Sequence, residues 1–96
     1  MQLIEVFVPK SADSGERLSS LQNMLLQQFG GVTAYSRAPA KGVEVEDGKQ
    51  VDDEIVILEV MTDSLDRAWW SSLRGQLERD FGQHEILIRA SEVQQL

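Results

Sequence analysis

The sequence predicts one α+β domain: a four-stranded antiparallel sheet with two helices on one face, in the order β-α-β-β-α-β. Three observations predict it. One pattern is written twice along the 96 residues. Each copy holds an apolar stripe of helical period, closed by a glycine and followed by a short strand-like run. Each helix is also preceded by a run rich in β-branched and aromatic residues, "LIEVFVP" (3–9) and "IVILEVM" (55–61).

The repeat sets "SSLQNMLLQQFGGVTAYSRA" (19–38) over "SSLRGQLERDFGQHEILIRA" (71–90) at a constant offset of 52, with eight of twenty positions identical. Leu18, Leu21, Leu25 and Phe29 recur at spacings of three and four, as do Trp70, Leu73, Leu77 and Phe81. Such spacings form one face of a helix. Gly30 and Gly82 stand where a helix end favours a left-handed residue. Asp13 with Glu16 has the form of a capping box, and Asp63 or Ser64 opens the second helix with Asp66 in its first turn. The closing strands are "VTAYSRA" and "HEILIRA". The result is one domain over 1–96, with half-repeats at about 3–38 and 55–90. The stretch 39–54 is a hairpin arm or an extension of the middle strands, turning at Asp47-Gly48. This is the split βαβ, or ferredoxin-like, arrangement, with the strands from Leu3 and Ile55 in the centre.

Composition excludes several functions. Sixteen acidic residues face nine basic ones, a formal net charge of -7. Such a chain repels nucleic acid and anionic membrane surfaces on average. No apolar run approaches the roughly 20 residues of a membrane span. No cysteine is present, so disulfides and thiolate metal sites are excluded. The start "MQLIEVFVPK" lacks a basic region followed by a long apolar one, and a cytoplasmic protein is expected. Residues 44–54 hold six acids and one lysine and read as a solvated acidic segment; the regular ligand spacing of an EF-hand is absent. Neither a phosphate-binding loop nor a dinucleotide fingerprint occurs, and no cofactor or resident metal is expected.

Strand alternation sorts the side chains. Ile4, Val6, Val8, Ala34, Val56, Leu58, Val60, Ile86 and Ile88 share the face expected under the helices. The other face mixes apolar Phe7, Tyr35, Ile57, Met61 and Leu87 with Glu5, Glu59, Arg37 and Arg89. No helix remains to cover it, and a patch of that size is unusual on a monomer. A homodimer stacked sheet to sheet is therefore expected. Glu5, Phe7, Tyr35, Arg37, Ile57, Glu59, Leu87 and Arg89 form the candidate ligand or interface set. Arg37 and Arg89 flank the glutamates as ion-pair partners. Trp70 falls on the core stripe, while Trp69 falls on the helix flank as edge packing, pocket wall or interface. His84 is the only histidine. Its counterpart in the other copy is Val32, so it is scaffold at the sheet margin.

The βαββαβ order with an amphipathic open face resembles the dimeric α/β-barrel superfamily. The segments "FGGVTAYSRAP" and "EILIRA" also look like those of small bacterial proteins of unknown role. That resemblance implies a sheet-to-sheet dimer. It also implies an alternative function, a cofactor-independent monooxygenase- or isomerase-like enzyme. There Glu5 or Glu59 would serve as general base, and Tyr35 or an arginine would hold the developing oxyanion. The preferred reading is a small domain that binds a partner or small ligand through the open sheet face. The two differ in one feature: the enzyme requires a concave pocket reaching Glu5, Glu59 or Tyr35.

Overall fold

A computed structural model describes residues 1–96, with every side chain except that of Ala38, whose place in the repeat lies outside the described residues. The elements run β1 (Gln2–Pro9), α1 (Gly15–Phe29), β2 (Thr33–Glu46), β3 (Lys49–Thr62), α2 (Arg67–Asp80) and β4 (Leu87–Glu92). The sheet order is β2-β3-β1-β4, and every neighbouring pair is antiparallel. The central strands are β1 and β3, as the repeat predicts.

The core lies between the sheet and the helices. Ile4, Val6 and Val8 of β1 and Val56, Leu58 and Val60 of β3 are buried, together with Ile86. Leu21 and Leu25 of α1 and Trp70, Leu73 and Leu77 of α2 close over them. Phe29 at the end of α1 stacks on Trp70 at 5.2 Å between ring centroids. It also meets Trp69 edge-on at 5.3 Å. This aromatic trio clamps the end of α1 to the start of α2, and such pairs contribute about 0.5–1.5 kcal/mol beyond their area. No helix among the described residues is long and apolar enough to cross a membrane.

The helix starts differ from the expected caps. Ser14, not Asp13, is the N-cap of α1, and its side chain does not cap the helix. Ser14 is buried, and its hydroxyl accepts from the Ser11 amide and donates to the Ser11 carbonyl, tying off the preceding turn. Asp13 accepts from the Ser11 hydroxyl at 2.7 Å, which with Arg17 holds its carboxyl below the usual range. For α2 the cap is Asp66 itself, which accepts from the Trp69 amide, rather than Asp63 or Ser64. Ser14 and Asp66 are 52 positions apart, so the repeat extends to the caps.

The helix ends follow expectation. Gly30 and Gly82 both have positive φ, 80° and 63°. At α2 the Gly82 amide reaches the Arg79 carbonyl and the Gln83 amide reaches that of Glu78, the two bonds of a Schellman motif.

Residues 40–54 extend β2 and β3 as a ladder that turns at Asp47 and Gly48. Both turn residues have positive φ, as a two-residue type I′ turn requires. At the other edge β4 begins at Leu87, three residues later than His84. The amide of Ile86 donates to the Glu78 carboxylate at 3.0 Å instead of joining the sheet. His84 is thus exposed in the α2–β4 loop, not on a strand or under a helix.

Two expected outcomes follow from the packing. Leu25→Ala, at a fully buried position, should lower the unfolding free energy by about 2–5 kcal/mol. The urea midpoint should fall with its slope unchanged; a loss below about 1 kcal/mol would place α1 elsewhere. Two glycine substitutions should differ in sign. Gly82→Ala should destabilise because of the positive φ. Gly75→Ala, inside α2 with only an ordinary contact to Arg79 at 3.6 Å, should stabilise by roughly 0.5–1 kcal/mol.

Candidate functional site

The open face is an array of cross-strand rows set by register. Thr33, Glu59, Glu5 and Arg89 form one row across β2-β3-β1-β4. Tyr35, Ile57, Phe7 and Leu87 form the next. Met61, Leu3 and Ser91 lie beyond the first. The second row is apolar from edge to edge, and its outer members are open: Tyr35 is 47% exposed and Leu87 50%.

Glu5 and Glu59 stand directly opposite each other on the central strands. Like charges in that position repel. Each carboxylate is engaged by a side chain from an outer strand. Arg89 Nε donates to Glu5 Oε1 at 2.9 Å. The Arg89 guanidinium also lies 4.7 Å from the centre of the Phe7 ring, a cation–π contact. The Tyr35 hydroxyl faces Glu59 Oε2 at 3.4 Å, a long hydrogen bond. The Glu5 side chain is 17% exposed and that of Arg89 58%. An ion pair as exposed as this contributes about 0–1 kcal/mol and serves chiefly to hold both groups in place.

Arg37 does not join this array. Register with β3 is lost between Tyr35 and Ala40, where four residues of β2 span a single residue of β3. Pro39 lies in that segment and has no amide hydrogen to offer a ladder. Arg37 is exposed there, and among the described residues no ion pair or hydrogen bond engages it. The expected Arg37–glutamate pairing is therefore replaced by Tyr35–Glu59. Trp69 is half-buried and packs on Phe29 and Trp70 in its own chain.

One hollow of about 210 Å³ opens beside the apolar row. Its floor is Phe7, Pro9, Ile55, Ile86 and Leu87, and its rim carries Glu44, Asp53 and Glu85. It reaches neither Glu5, Glu59 nor Tyr35. Gly42 makes the floor: a Cβ there would collide with Ile55 Cδ1. Periodicity gave no sign of this hollow, because it forms where the β2–β3 extension passes the α2–β4 loop. Partial loss of hydration raises the Glu44 carboxyl above the usual range, and the charges of Glu46, Asp53 and Glu85 add to the shift. No three Asp, Glu or His side chains among the described residues are grouped to hold a metal ion.

The fold and face define a class: a two-layer ferredoxin-like domain whose sheet has one uncovered, partly apolar side. Solved structures similar to this chain carry a more particular name. One is the divalent cation tolerance protein CutA1 from Thermus thermophilus, at TM-score 0.67 and 15% identity over 99% of this chain and 86% of that one. CutA1 from Oryza sativa matches at 0.65 and 16%, over 98% and 80%. The periplasmic divalent cation tolerance protein CutA from Archaeoglobus fulgidus matches at 0.64 and 18%, over 99% and 86%. A CutA from Nostoc sp. PCC 7120 is described as PII-like and matches at 0.59 and 17%, over 97% and 81%. No family model and no curated protein matches the chain. The likeness is one of fold. The dimeric α/β-barrel resemblance holds only for the shared ferredoxin-like layout, and the named structures are CutA1 proteins instead.

Glu44 generates a pH prediction. A carboxyl whose pKa is raised in the folded state adds stability while it is protonated, and that contribution is lost as pH rises through the folded value. Glu44→Gln should therefore raise the melting temperature at neutral pH, and the gain should shrink as pH falls into the carboxylate range. Melting curves of both proteins across that range check it; a gain that grows with acidity would refute the raised Glu44 carboxyl.

Proposed function

We propose that this chain is a small partner-binding domain whose first partner is another copy of itself, taken up through the open sheet face. The observation that carries this is the apolar row Tyr35–Ile57–Phe7–Leu87, with Met61 and Leu3 beyond it and no element of the chain above it. Covering such surface removes it from water at about 25 cal/mol per Å². The Glu5–Arg89 and Glu59–Tyr35 pairs leave the carboxylates partnered when the face closes. A two-fold dimer is the smallest closed assembly that covers the face. The fold shared with CutA1 proteins is consistent with a small binding protein. The enzyme reading calls for a pocket reaching Glu5, Glu59 or Tyr35, and the hollow beside the face ends instead at Phe7 and Leu87.

Sedimentation equilibrium at micromolar concentration tests the assembly. An integral multiple of the chain mass is expected for the native protein. Phe7→Glu and Leu87→Asp should each shift it to the single-chain mass while far-UV circular dichroism stays native. A native monomer would refute self-association; a multiple above two would keep the face and replace the two-fold arrangement.

A further inference from the structure

The surface cavities of this acidic chain separate by charge. Between α2 and β4 lies a hollow of about 190 Å³. Its floor is apolar: Ile4, Trp70, Ile88 and Leu65. Its rim carries Arg67 and Arg74, with Ser71 between them. Arg89 also lines it, although its guanidinium is committed to Glu5 and Phe7 on the other side of the sheet. No carboxylate lines this hollow. Four other hollows each carry at least two: Glu16 and Asp80 in the inter-helix groove, Glu44 and Asp53 in the one beside the open face, Asp13 and Asp80 in a third, Asp52 and Glu54 in a fourth. With sixteen acids against nine bases, a carboxylate-free hollow with two free guanidiniums stands apart.

Arg67 and Arg74 are seven residues apart, two turns along one side of α2 and about 10 Å along its axis. Arginine side chains are long enough for both to reach a single anion placed between them. Among the described residues neither makes an ion pair or hydrogen bond, so both keep their donors for a ligand. Arg67 is also the first residue of α2, where the helix dipole favours negative charge. Arginine's planar fork matches both carboxylate and phosphate oxygens. The floor sets the rest of the ligand. The hollow, about 190 Å³ and open to solvent, has room for one ring or a short aliphatic chain lying against that floor.

We infer that this hollow is a binding site for a small organic anion. The carboxylate or phosphate head is held by Arg67 and Arg74, and an apolar body rests on Trp70, Ile88, Ile4 and Leu65. The site faces away from the open sheet surface and stands independently of the self-association proposed above.

Titration of the native protein, followed by amide and indole ¹H–¹⁵N NMR, tests it with four probes: benzoate, phenyl phosphate, benzyl alcohol and inorganic phosphate. Benzoate or phenyl phosphate should give saturable shifts clustered at Arg67, the Trp70 indole, Arg74 and Ile88. The stronger of the two identifies the head group. Benzyl alcohol, which lacks the charge, should bind about ten-fold more weakly or less, and inorganic phosphate, which lacks the body, likewise. Arg67→Gln and Arg74→Gln should each weaken binding by about three-fold or more, since both guanidiniums are exposed. Arg79→Gln, in the same helix but outside the hollow, should leave it unchanged. Three results overturn the inference: no saturable shift by about 10 mM, equal binding of benzyl alcohol and benzoate, or unaltered affinity in both arginine variants. Inorganic phosphate binding as tightly as phenyl phosphate would make the hollow a simple anion patch and overturn the role of its floor.

Discussion

The register of β1 against β3 is the constraint on which the rest depends. Ile4 faces Val60, Val6 faces Leu58, and Val8 faces Val56, and all six are buried. Side chains alternate with period two, so a slip of one residue would send this set to the outer face and bring Glu5 and Glu59 under the helices. Burying two unpaired carboxylates costs several kcal/mol each, so the slipped register is strongly excluded. The helices then have one place to go. Their stripes, Leu21 and Leu25 on one and Trp70, Leu73 and Leu77 on the other, match the aliphatic face. The opposite face inherits the alternate residues, charges included.

That inheritance explains the polar pattern of the open face. The two central strands contribute like charges at one level, and the outer strands answer them. The answer is unequal because the outer strands are unequal. β4 stays in register with β1 from Leu87 to Glu92, so Arg89 lands opposite Glu5. β2 breaks register at 36–39, so Arg37 is displaced and Tyr35 takes the neighbouring role toward Glu59. A duplicated sequence has thus given two sheet edges with different chemistry.

The offset of 52 made most of the fold legible: both helices, both left-handed glycines, the central strands and the split of faces. It extends further than its identical residues, since Ser14 and Asp66 cap equivalent helix starts with different side-chain bonds. What was not legible depended on partners distant in sequence. The late start of β4 follows from Ile86 giving its amide to Glu78. The loss of Arg37 from the array follows from an interruption that only the pairing of β2 with β3 defines, although Pro39 was a local hint. The hollow floored by Gly42 and Ile55 needed the course of the long hairpin. Likewise, the hollow that carries Arg67 and Arg74 exists only once β4 is placed beside α2.

Net charge therefore describes this chain poorly at the scale of a ligand. The acidic rim of Glu44, Asp53 and Glu85 lies where Pro9 ends β1, whereas the arginine hollow lies at Ile4. Five residues of strand separate those levels, about 17 Å at 3.3–3.4 Å each. The screening length at physiological salt is about 8 Å. A small anion at Arg67 and Arg74 would be two screening lengths from that acidic rim, with the nearby Asp66 carboxylate turned to the Trp69 amide. A polyanion long enough to span the domain would meet both ends at once and be repelled by the excess of acids. The same charge balance that argues against nucleic acid is thus compatible with selective capture of small anions at one end of the sheet.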